Sequence, residues 1–191
     1  MFKIGLLRSS KPPVPVIVVG NITVGGNGKT PVVIAICEYL LAKGKSVGVL
    51  SRGYGGNQTV FPYQLVEGDL PSLVGGETAL IFQRLGIPVI IDPQRRRGAE
   101  RLFELGCDVI VCDDGLQHYA LQRDIEWVVM DDRGVGNGWL LPAGPLRELP
   151  NRLAGVDGVI LNQTSAISRV SARQFDMKLG AGQIVNVADP S

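Results

Sequence analysis

The chain has 191 residues, of which 45% are hydrophobic and 19% are charged. This length and composition are enough to build one folded core, which excludes disorder of the whole chain. Lysine and arginine total 19 against 18 acidic residues, so the net charge of +1 gives no overall attraction to nucleic acid. Three cysteines without a CxxC spacing and a single histidine argue against a disulfide framework and against thiolate or paired-histidine metal sites. We expect a reducing, cytosolic environment.

The predicted elements alternate between short β-branched runs and longer segments of helical period. Strands are predicted at residues 14–19, 46–50, 60–66, 88–91, 108–112, 125–130, 158–161 and 183–187. Helices are predicted at residues 30–43, 77–85, 96–105 and 168–179, and a loop rich in glycine and proline at 134–150. Pro62 places the weaker strand 60–66 at an edge of the sheet. Apolar strands separated by helices predict a doubly wound α/β fold, with a mostly parallel sheet and helices on both faces.

A glycine-rich segment joins the first strand to the first helix and ends in Gly28-Lys29-Thr30, as a Walker A motif does. In such a loop, backbone N–H groups surround a polyphosphate, Lys29 reaches the β and γ oxygens, and Thr30 gives its hydroxyl to Mg²⁺. Thr23 stands where the strict pattern has glycine, so an ordinary glycine-rich turn is the alternative. The buried strand before it and the amphipathic helix after it favour a P-loop NTPase-like fold. The predicted nucleotide-binding residues are Thr23, Val24, Gly25, Gly26, Asn27, Gly28, Lys29 and Thr30.

An acidic pair, Asp113 and Asp114, follows four apolar residues at the end of the strand predicted at 108–112. Ligands of α/β sheets bind at this carboxyl edge, and the pattern is that of a Walker B strand. One carboxylate would hold Mg²⁺, and the other would orient a nucleophile or a second metal. The alternative is an Asp-rich turn in which Gly115 supplies a positive φ.

Four blocks of the sequence resemble the tetraacyldisaccharide 4'-kinases of lipid A biosynthesis. They read VPVIVVGNITVGGNGKTP, SRGYGG, DDGLQHYALQRDIE and GNGWLLPAGPLRE, and they follow one another in the order in which the family has them. The resemblance implies transfer of the γ-phosphoryl group of ATP, with Mg²⁺, to the 4'-hydroxyl of a tetraacylated glucosamine disaccharide 1-phosphate. It also implies a peripheral position at the cytoplasmic face of the inner membrane, and it implies no nucleic-acid partner.

Residue by residue, the resemblance implies catalytic roles for Lys29, Asp113 and Asp114, and metal binding by Thr30 and Asp113. It implies that Arg52 and Arg147 face the anionic lipid head group, where arginine suits phosphate because its fork donates paired hydrogen bonds. Gln117 and His118, next to the acidic pair, are expected to line the same cleft as further substrate residues. A solvated loop charge is the alternative for Arg52, and a packed polar residue is the alternative for His118. The run of arginines at 95–97 is expected to be a solvated helix start.

The chain departs from the family pattern at three places. Relatives read Gly-Asp-Glu where this chain has Gly75-Gly76-Glu77, so the carboxylate expected to be the base for the sugar hydroxyl is missing. Loss of such a base costs about 10² to 10⁴ in rate, and Asp114 and Glu77 are the candidate substitutes. Residues 1–13 are interpreted as a remnant of a membrane-docking segment, and 14–191 as the nucleotide-binding domain. A further C-terminal lobe of the family is expected to be absent.

Two other functions stay open on the sequence. Gly76 and the expected loss of a lobe would suit a module that binds MgATP without catalysis. A GTPase would need a guanine-reading Asn-Lys-x-Asp loop, and the best candidate, Asn162-Gln163-Thr164-Ser165, has neither the lysine nor the aspartate.

Overall fold

The computed structural model describes residues 11–162 and 172–180. Within these ranges the strands are β1 (Val16–Gly20), β2 (Val47–Ser51), β3 (Tyr63–Gln64), β4 (Val89–Ile91), β5 (Val109–Asp113), β6 (Ile125–Met130), β7 (Gly158–Asn162) and β8 (Arg173–Met177). The helices are α1 (Lys29–Ala42), α2 (Pro71–Val74), α3 (Gly76–Leu85) and α4 (Arg95–Glu104), with a 3-10 helix at Pro150–Gly155. None of the described helices combines the length and the apolar character needed to cross a bilayer.

The described strands form one sheet in the order β3-β4-β2-β5-β1-β6-β7-β8. β3 runs antiparallel to β4 at one edge, and the other neighbouring pairs are parallel. β1 lies between β5 and β6, with Val19 beside Asp113 and Gly20 beside Val128. The loop after β1 and the acidic pair after β5 therefore leave the same edge of the sheet side by side. This topology confirms the predicted doubly wound, mostly parallel fold.

Helices cover both faces of the sheet, as alternate side chains of each buried strand require. On one face, Val16 and Val18 of β1 belong to the same apolar cluster as Leu102 of α4. On the other face, Val19 belongs to a second cluster with Val33 of α1. The central strands β2 and β5 are buried along their whole length, which fixes the position of the residues at their carboxyl ends.

Two predicted elements differ in the structure, and one lies outside it. The predicted helix at 168–179 is wrong, because residues 173–177 form β8, which pairs in parallel with β7. Its Phe175 ring lies against that of Trp127, at a centroid distance of 6.2 Å, so tertiary pairing decided a segment whose polarity suited a surface helix. β3 keeps two residues of the predicted strand 60–66 and is the expected edge strand. The predicted strand 183–187 and residues 1–10 lie outside the described residues.

Helix α4 packs so closely on the sheet that it has room only for glycine at position 98. A methyl group at Gly98 would lie 2.4 Å from Leu50 Cδ1 and 3.1 Å from Asp92 Cβ. We expect Gly98→Ala to lower the free energy of unfolding by about 1–3 kcal/mol, because overpacking forces α4 away from the sheet. Urea unfolding followed by circular dichroism measures this loss.

The matched control is Gly155→Ala, where an added methyl group would lie 3.7 Å from its nearest neighbour, Arg152 Nη1. This variant is expected to stay within about 0.5 kcal/mol of the parent chain. Equal losses for the two variants would contradict the close packing of α4.

Candidate active site

The phosphate loop, residues 20–28, is held in shape by its own side chains. Gly25 and Gly28 have φ values of 99° and 87°, which glycine adopts without strain. Asn21 spans the loop, since its Nδ2 donates to Gly25 O at 3.2 Å and also to Asn27 Oδ1. Asn27 Nδ2 in turn donates to Thr23 Oγ1 at 3.2 Å. The hydroxyl at the position where the strict motif has glycine therefore serves as an internal contact of the loop.

A second segment, residues 140–147, lies along the phosphate loop, and we call it the strap. The Val24 N–H donates to Pro145 O at 2.9 Å, and the Arg147 N–H donates to Ile22 O at 2.7 Å. These two backbone hydrogen bonds fix the strap to the loop like one short rung of a sheet. The sequence predicted a glycine- and proline-rich loop here and a site role for Arg147, but not the contact with the phosphate loop.

Asp113 is the last residue of β5, and its side chain lies inside the protein with 3% of the residue exposed. Its Oδ1 has no hydrogen-bond partner among the described residues. Burial, followed by the negative charge of Glu77, raises the pKa of Asp113 to about 6. The buried Arg95 lies nearby and donates from Nη2 to the backbone oxygen of Asp113 at 3.2 Å. Asp113 is thus a buried acid with one oxygen atom, Oδ1, left without a hydrogen-bond partner among the described residues.

Asp114 has a different environment, although it is the next residue. It adopts a positive φ of 49° and turns its carboxylate towards Lys29 and Arg147. Lys29 Nζ lies 3.7 Å from Oδ1, and Arg147 Nη1 lies 2.9 Å from Oδ2. Burial alone would raise the pKa of Asp114, but the charges of Lys29, Arg147 and Arg95 outweigh burial and lower it. Asp114 is therefore ionised at neutral pH.

His118 is uncharged at neutral pH. Burial, followed by the positive charges of Arg95 and Arg52, lowers its pKa to about 4. The imidazole consequently adds no positive charge to the site and offers one donor and one acceptor.

These groups surround a cleft of about 680 Å³ at the carboxyl edge of the sheet. The predicted site residues that line it are Gly25, Gly26, Lys29, Arg52, Asp113, Asp114, Gln117, His118 and Arg147. The other predicted residues, Thr23, Val24, Asn27, Gly28 and Thr30, belong to the loop and the start of α1 rather than to the lining. The fold therefore brings nine of the predicted site residues to one cleft. The role of each residue is still a prediction.

The cleft is also lined by residues to which the motifs gave no role. They are Ser51, Tyr54, Thr78, Leu140, Leu141 and Leu146. Ser51 ends β2 beside β5, and its hydroxyl lies 3.0 Å from that of Thr78 in the buried wall. The position of Ser51 at the carboxyl end of a buried strand was the signal in the sequence that could have indicated it.

Two sequence interpretations change in detail. Only Arg96 of the arginine run is a solvated helix start, because Arg95 is only 3% exposed and Arg97 pairs with the fully buried Asp92 at 2.7 Å. Gln117 lines the cleft, but its Nε2 donates to Asn21 O at 3.1 Å and to Glu148 Oε1 at 2.9 Å. That amide holds the phosphate loop and leaves little donor capacity for a lipid head group.

The residues present fit a magnesium ion bound together with a nucleotide. Among the described residues, no group of three or more His, Cys, Asp or Glu side chains is arranged to hold a metal. Mg²⁺ at nucleotide sites takes one or two protein ligands and completes its octahedron with phosphate oxygens and water. The unpaired Asp113 Oδ1 and the hydroxyl of Thr30, at the start of α1, supply that small donor set.

Comparison with known proteins points to one family. The family model described as Tetraacyldisaccharide-1-P 4'-kinase matches residues 1–191. The tetraacyldisaccharide 4'-kinase of Pseudoalteromonas atlantica is 51% identical over 100% of this chain and 62% of its own length. That of Actinobacillus succinogenes is 58% identical over 85% of this chain and 50% of its own length. The chain thus spans about half to three fifths of the length of these relatives.

A solved structure gives the same result. LpxK from Aquifex aeolicus, crystallised in complex with ATP, superimposes with a TM-score of 0.80 at 31% identity, over 92% of this chain and 57% of that one. Chloroplast FtsY from Physcomitrella patens, at 19% identity and a TM-score of 0.50, shares the fold alone. The family match over the whole sequence and the agreement of fold lead to one conclusion: the chain belongs to the tetraacyldisaccharide-1-P 4'-kinase family.

Proposed function

We propose that this chain carries the phosphoryl-transfer site of a tetraacyldisaccharide 4'-kinase. In this proposal it binds MgATP at the phosphate loop and transfers the γ-phosphoryl group to the 4'-hydroxyl of a tetraacylated glucosamine disaccharide 1-phosphate. The observation that carries the proposal is the convergence of Lys29, Asp113, Asp114 and Arg147 in one cleft. The names of the relatives support the choice of substrate.

The nucleotide half of the proposal follows from the charges around the loop. Without a nucleotide, Lys29 is paired with Asp114 and stays within the site. When a triphosphate binds, its oxygens provide a stronger partner for the ammonium group, while loop N–H groups donate to the phosphates. Thr30 and Asp113 would hold Mg²⁺, which supplies charge neutralisation for the β and γ phosphates. Asp114 keeps Arg147 directed into the cleft, beside the phosphoryl group in transfer.

The lipid half follows from other residues of the cleft lining. Arg52 is one of them, and a guanidinium suits the 1-phosphate of the acceptor. The strap adds Leu140 and Leu141, which are 40% and 53% exposed, and Trp139 beside them is 66% exposed. An apolar ledge at the mouth of a charged cleft matches a ligand with a phosphorylated sugar and acyl chains. The same ledge supports a peripheral position at the inner-membrane surface.

Transfer also requires removal of the proton from the 4'-hydroxyl. The hydroxyl oxygen forms a bond to the γ phosphorus, the bond from that phosphorus to the leaving oxygen of ADP breaks, and the hydroxyl proton passes to a base. Asp114 is a poor base because Lys29 and Arg147 stabilise its ionised form. We assign the role to Glu77, which lines the cleft in the first turn of α3.

The chain is expected to phosphorylate a tetraacyldisaccharide 1-phosphate in mixed micelles, and Lys29→Ala is expected to lower the rate at least 10³-fold because the phosphates lose their cation. Transfer of label from [γ-³²P]ATP to the lipid measures the rate. Lys45→Ala is the control, since Lys45 is exposed and outside the cleft lining. Binding of MgATP without any transfer would favour the alternative function, a nucleotide-binding module, which Gly76 would suit.

The assignment of the base is tested at positions 76 and 77. We expect Glu77→Gln to lower kcat about 10²-fold, because the amide accepts no proton. A Cβ atom at Gly76 would meet nothing within 4 Å, so we expect Gly76→Asp to be accommodated and to restore a carboxylate near the same place. This second variant is expected to raise kcat, and to rescue Glu77→Gln when the two are combined.

Steady-state kcat at saturating lipid and MgATP measures both effects. Glu67→Gln is the control, because Glu67 is exposed and lies outside the cleft lining. An unchanged kcat in Glu77→Gln would exclude Glu77 as the base.

The raised pKa of Asp113 predicts how MgATP binding varies with pH. Only the ionised carboxylate holds Mg²⁺, so affinity is expected to be full above about pH 7 and to fall about tenfold per pH unit well below the pKa of about 6. The phosphates of ATP titrate in the same range. Asp113→Asn, which binds MgATP weakly at every pH, therefore supplies the baseline in calorimetric titrations. A parent curve that parallels this baseline would contradict a role for Asp113 in metal binding.

The same substitution is expected to stabilise the unliganded chain. Because the folded state raises the pKa of Asp113, the buried carboxylate costs stability above about pH 6, and this cost disappears below the ordinary value of 3.8. Asp113→Asn should thus raise the free energy of unfolding at pH 7.5 by about 1–3 kcal/mol and leave it nearly unchanged at about pH 3, below both pKa values. Urea unfolding at the two pH values measures the difference.

A further inference from the structure

The carbonyl groups of the phosphate loop are turned outward by donors that surround it. Gly26 O accepts a hydrogen bond from Arg133 Nη2 at 3.1 Å, and Asn27 O accepts one from Asn162 Nδ2 at 3.3 Å. In a trans peptide the carbonyl and the following N–H point in opposite directions. An outward Gly26 carbonyl therefore directs the N–H of Asn27 inward, towards the place where phosphates bind.

Arg133 reaches the loop from the neighbouring strand. It lies three residues after the end of β6, which pairs with β1. Asp131, whose side chain is 13% exposed, holds the guanidinium, with distances of 2.9 and 3.1 Å from Arg133 Nε to the two carboxylate oxygens. The backbone N–H of Arg133 also donates to Asp131 Oδ1 at 3.1 Å. The arginine is thus fixed at its backbone and at its guanidinium by one carboxylate.

The guanidinium lies directly against Gly25 and Gly26 of the phosphate loop. A methyl group at Gly25 would come within 2.9 Å of Arg133 Nη1, so the two groups are already in close contact. Arg133 is not among the described residues that line the cleft, whereas Gly25 and Gly26 are. Arg133 therefore contacts the loop without being part of the cleft lining.

We infer that Arg133 is a positioning residue for polyphosphate binding. Arg133 orients the Gly26–Asn27 peptide, and Asp131 in turn orients Arg133. The inference rests on the proposed function, since it takes the ligand of the loop to be MgATP. A guanidinium suits the task because its fork donates to the carboxylate and to the Gly26 carbonyl at the same time. An ammonium group has no such fixed geometry and would satisfy the two acceptors less well.

Calorimetric titration of the 191-residue chain with MgATP tests this inference. We expect Arg133→Ala to raise the Kd about tenfold, because a loop N–H loses its fixed direction. Arg133→Lys should recover part of the affinity. Asp131→Asn should weaken binding as well, since the guanidinium is no longer held. Arg84→Ala is the matched control, an exposed arginine paired with the exposed Glu38, and should bind as the parent chain does.

Thermal unfolding without nucleotide separates positioning from a general effect on folding. The three variants at 131 and 133 should stay within about 2 °C of the Arg84→Ala control while their affinities differ. Parent-like affinity in Arg133→Ala would overturn the inference and leave the proposed function intact. Tighter binding in Asp131→Asn would overturn it too, since a released arginine would then be the better ligand. A parent chain that does not bind MgATP would contradict both.

Discussion

The outward direction of the phosphate-loop carbonyls is the constraint on which the rest of the site depends. A backbone loop binds phosphate only when its N–H groups face inward, and each one faces inward only if the preceding carbonyl finds a donor elsewhere. Those donors come from several strand ends: Gln117 after β5, Arg133 after β6 and Asn162 at the end of β7. The order of the parallel strands is therefore what shapes the loop, because it brings these donors to one edge of the sheet.

The adjacent aspartates divide two requirements between them. Asp114 is neutralised by the cations around it and fixes their positions. Asp113 has no hydrogen-bond partner for Oδ1 in the described part of the chain, and burial raises its pKa, so its ionised form is poorly stabilised by the protein alone. The positive φ of Asp114 separates the two carboxylates into different environments within one peptide unit. A carboxylate that the protein stabilises poorly gains the most free energy when it binds a cation. Such a site lowers the stability of the unliganded protein in return for affinity.

Elements whose structure depends on residues close by in the sequence could be predicted. β1 and β5 are continuous apolar runs and α1 lies between Gly28 and Gly44, so the loop and the acidic pair could be placed at the ends of buried strands from the sequence. The identity of β8 could not, because Phe175 and its neighbours form a strand only by pairing with β7. The burial of Arg95 and the binding of Gln117 to Asn21 likewise depend on contacts between distant segments. Composition around such residues suits a surface position equally well.

The strap belongs to two walls at once. Leu140 and Leu141 face the cleft, and a few residues later Pro145 and Arg147 form backbone hydrogen bonds with the phosphate loop. The two halves of the cleft therefore share one segment, through which the binding of one ligand would act on the other. Any change that one ligand makes in the affinity for the other is then returned in equal measure by reciprocity.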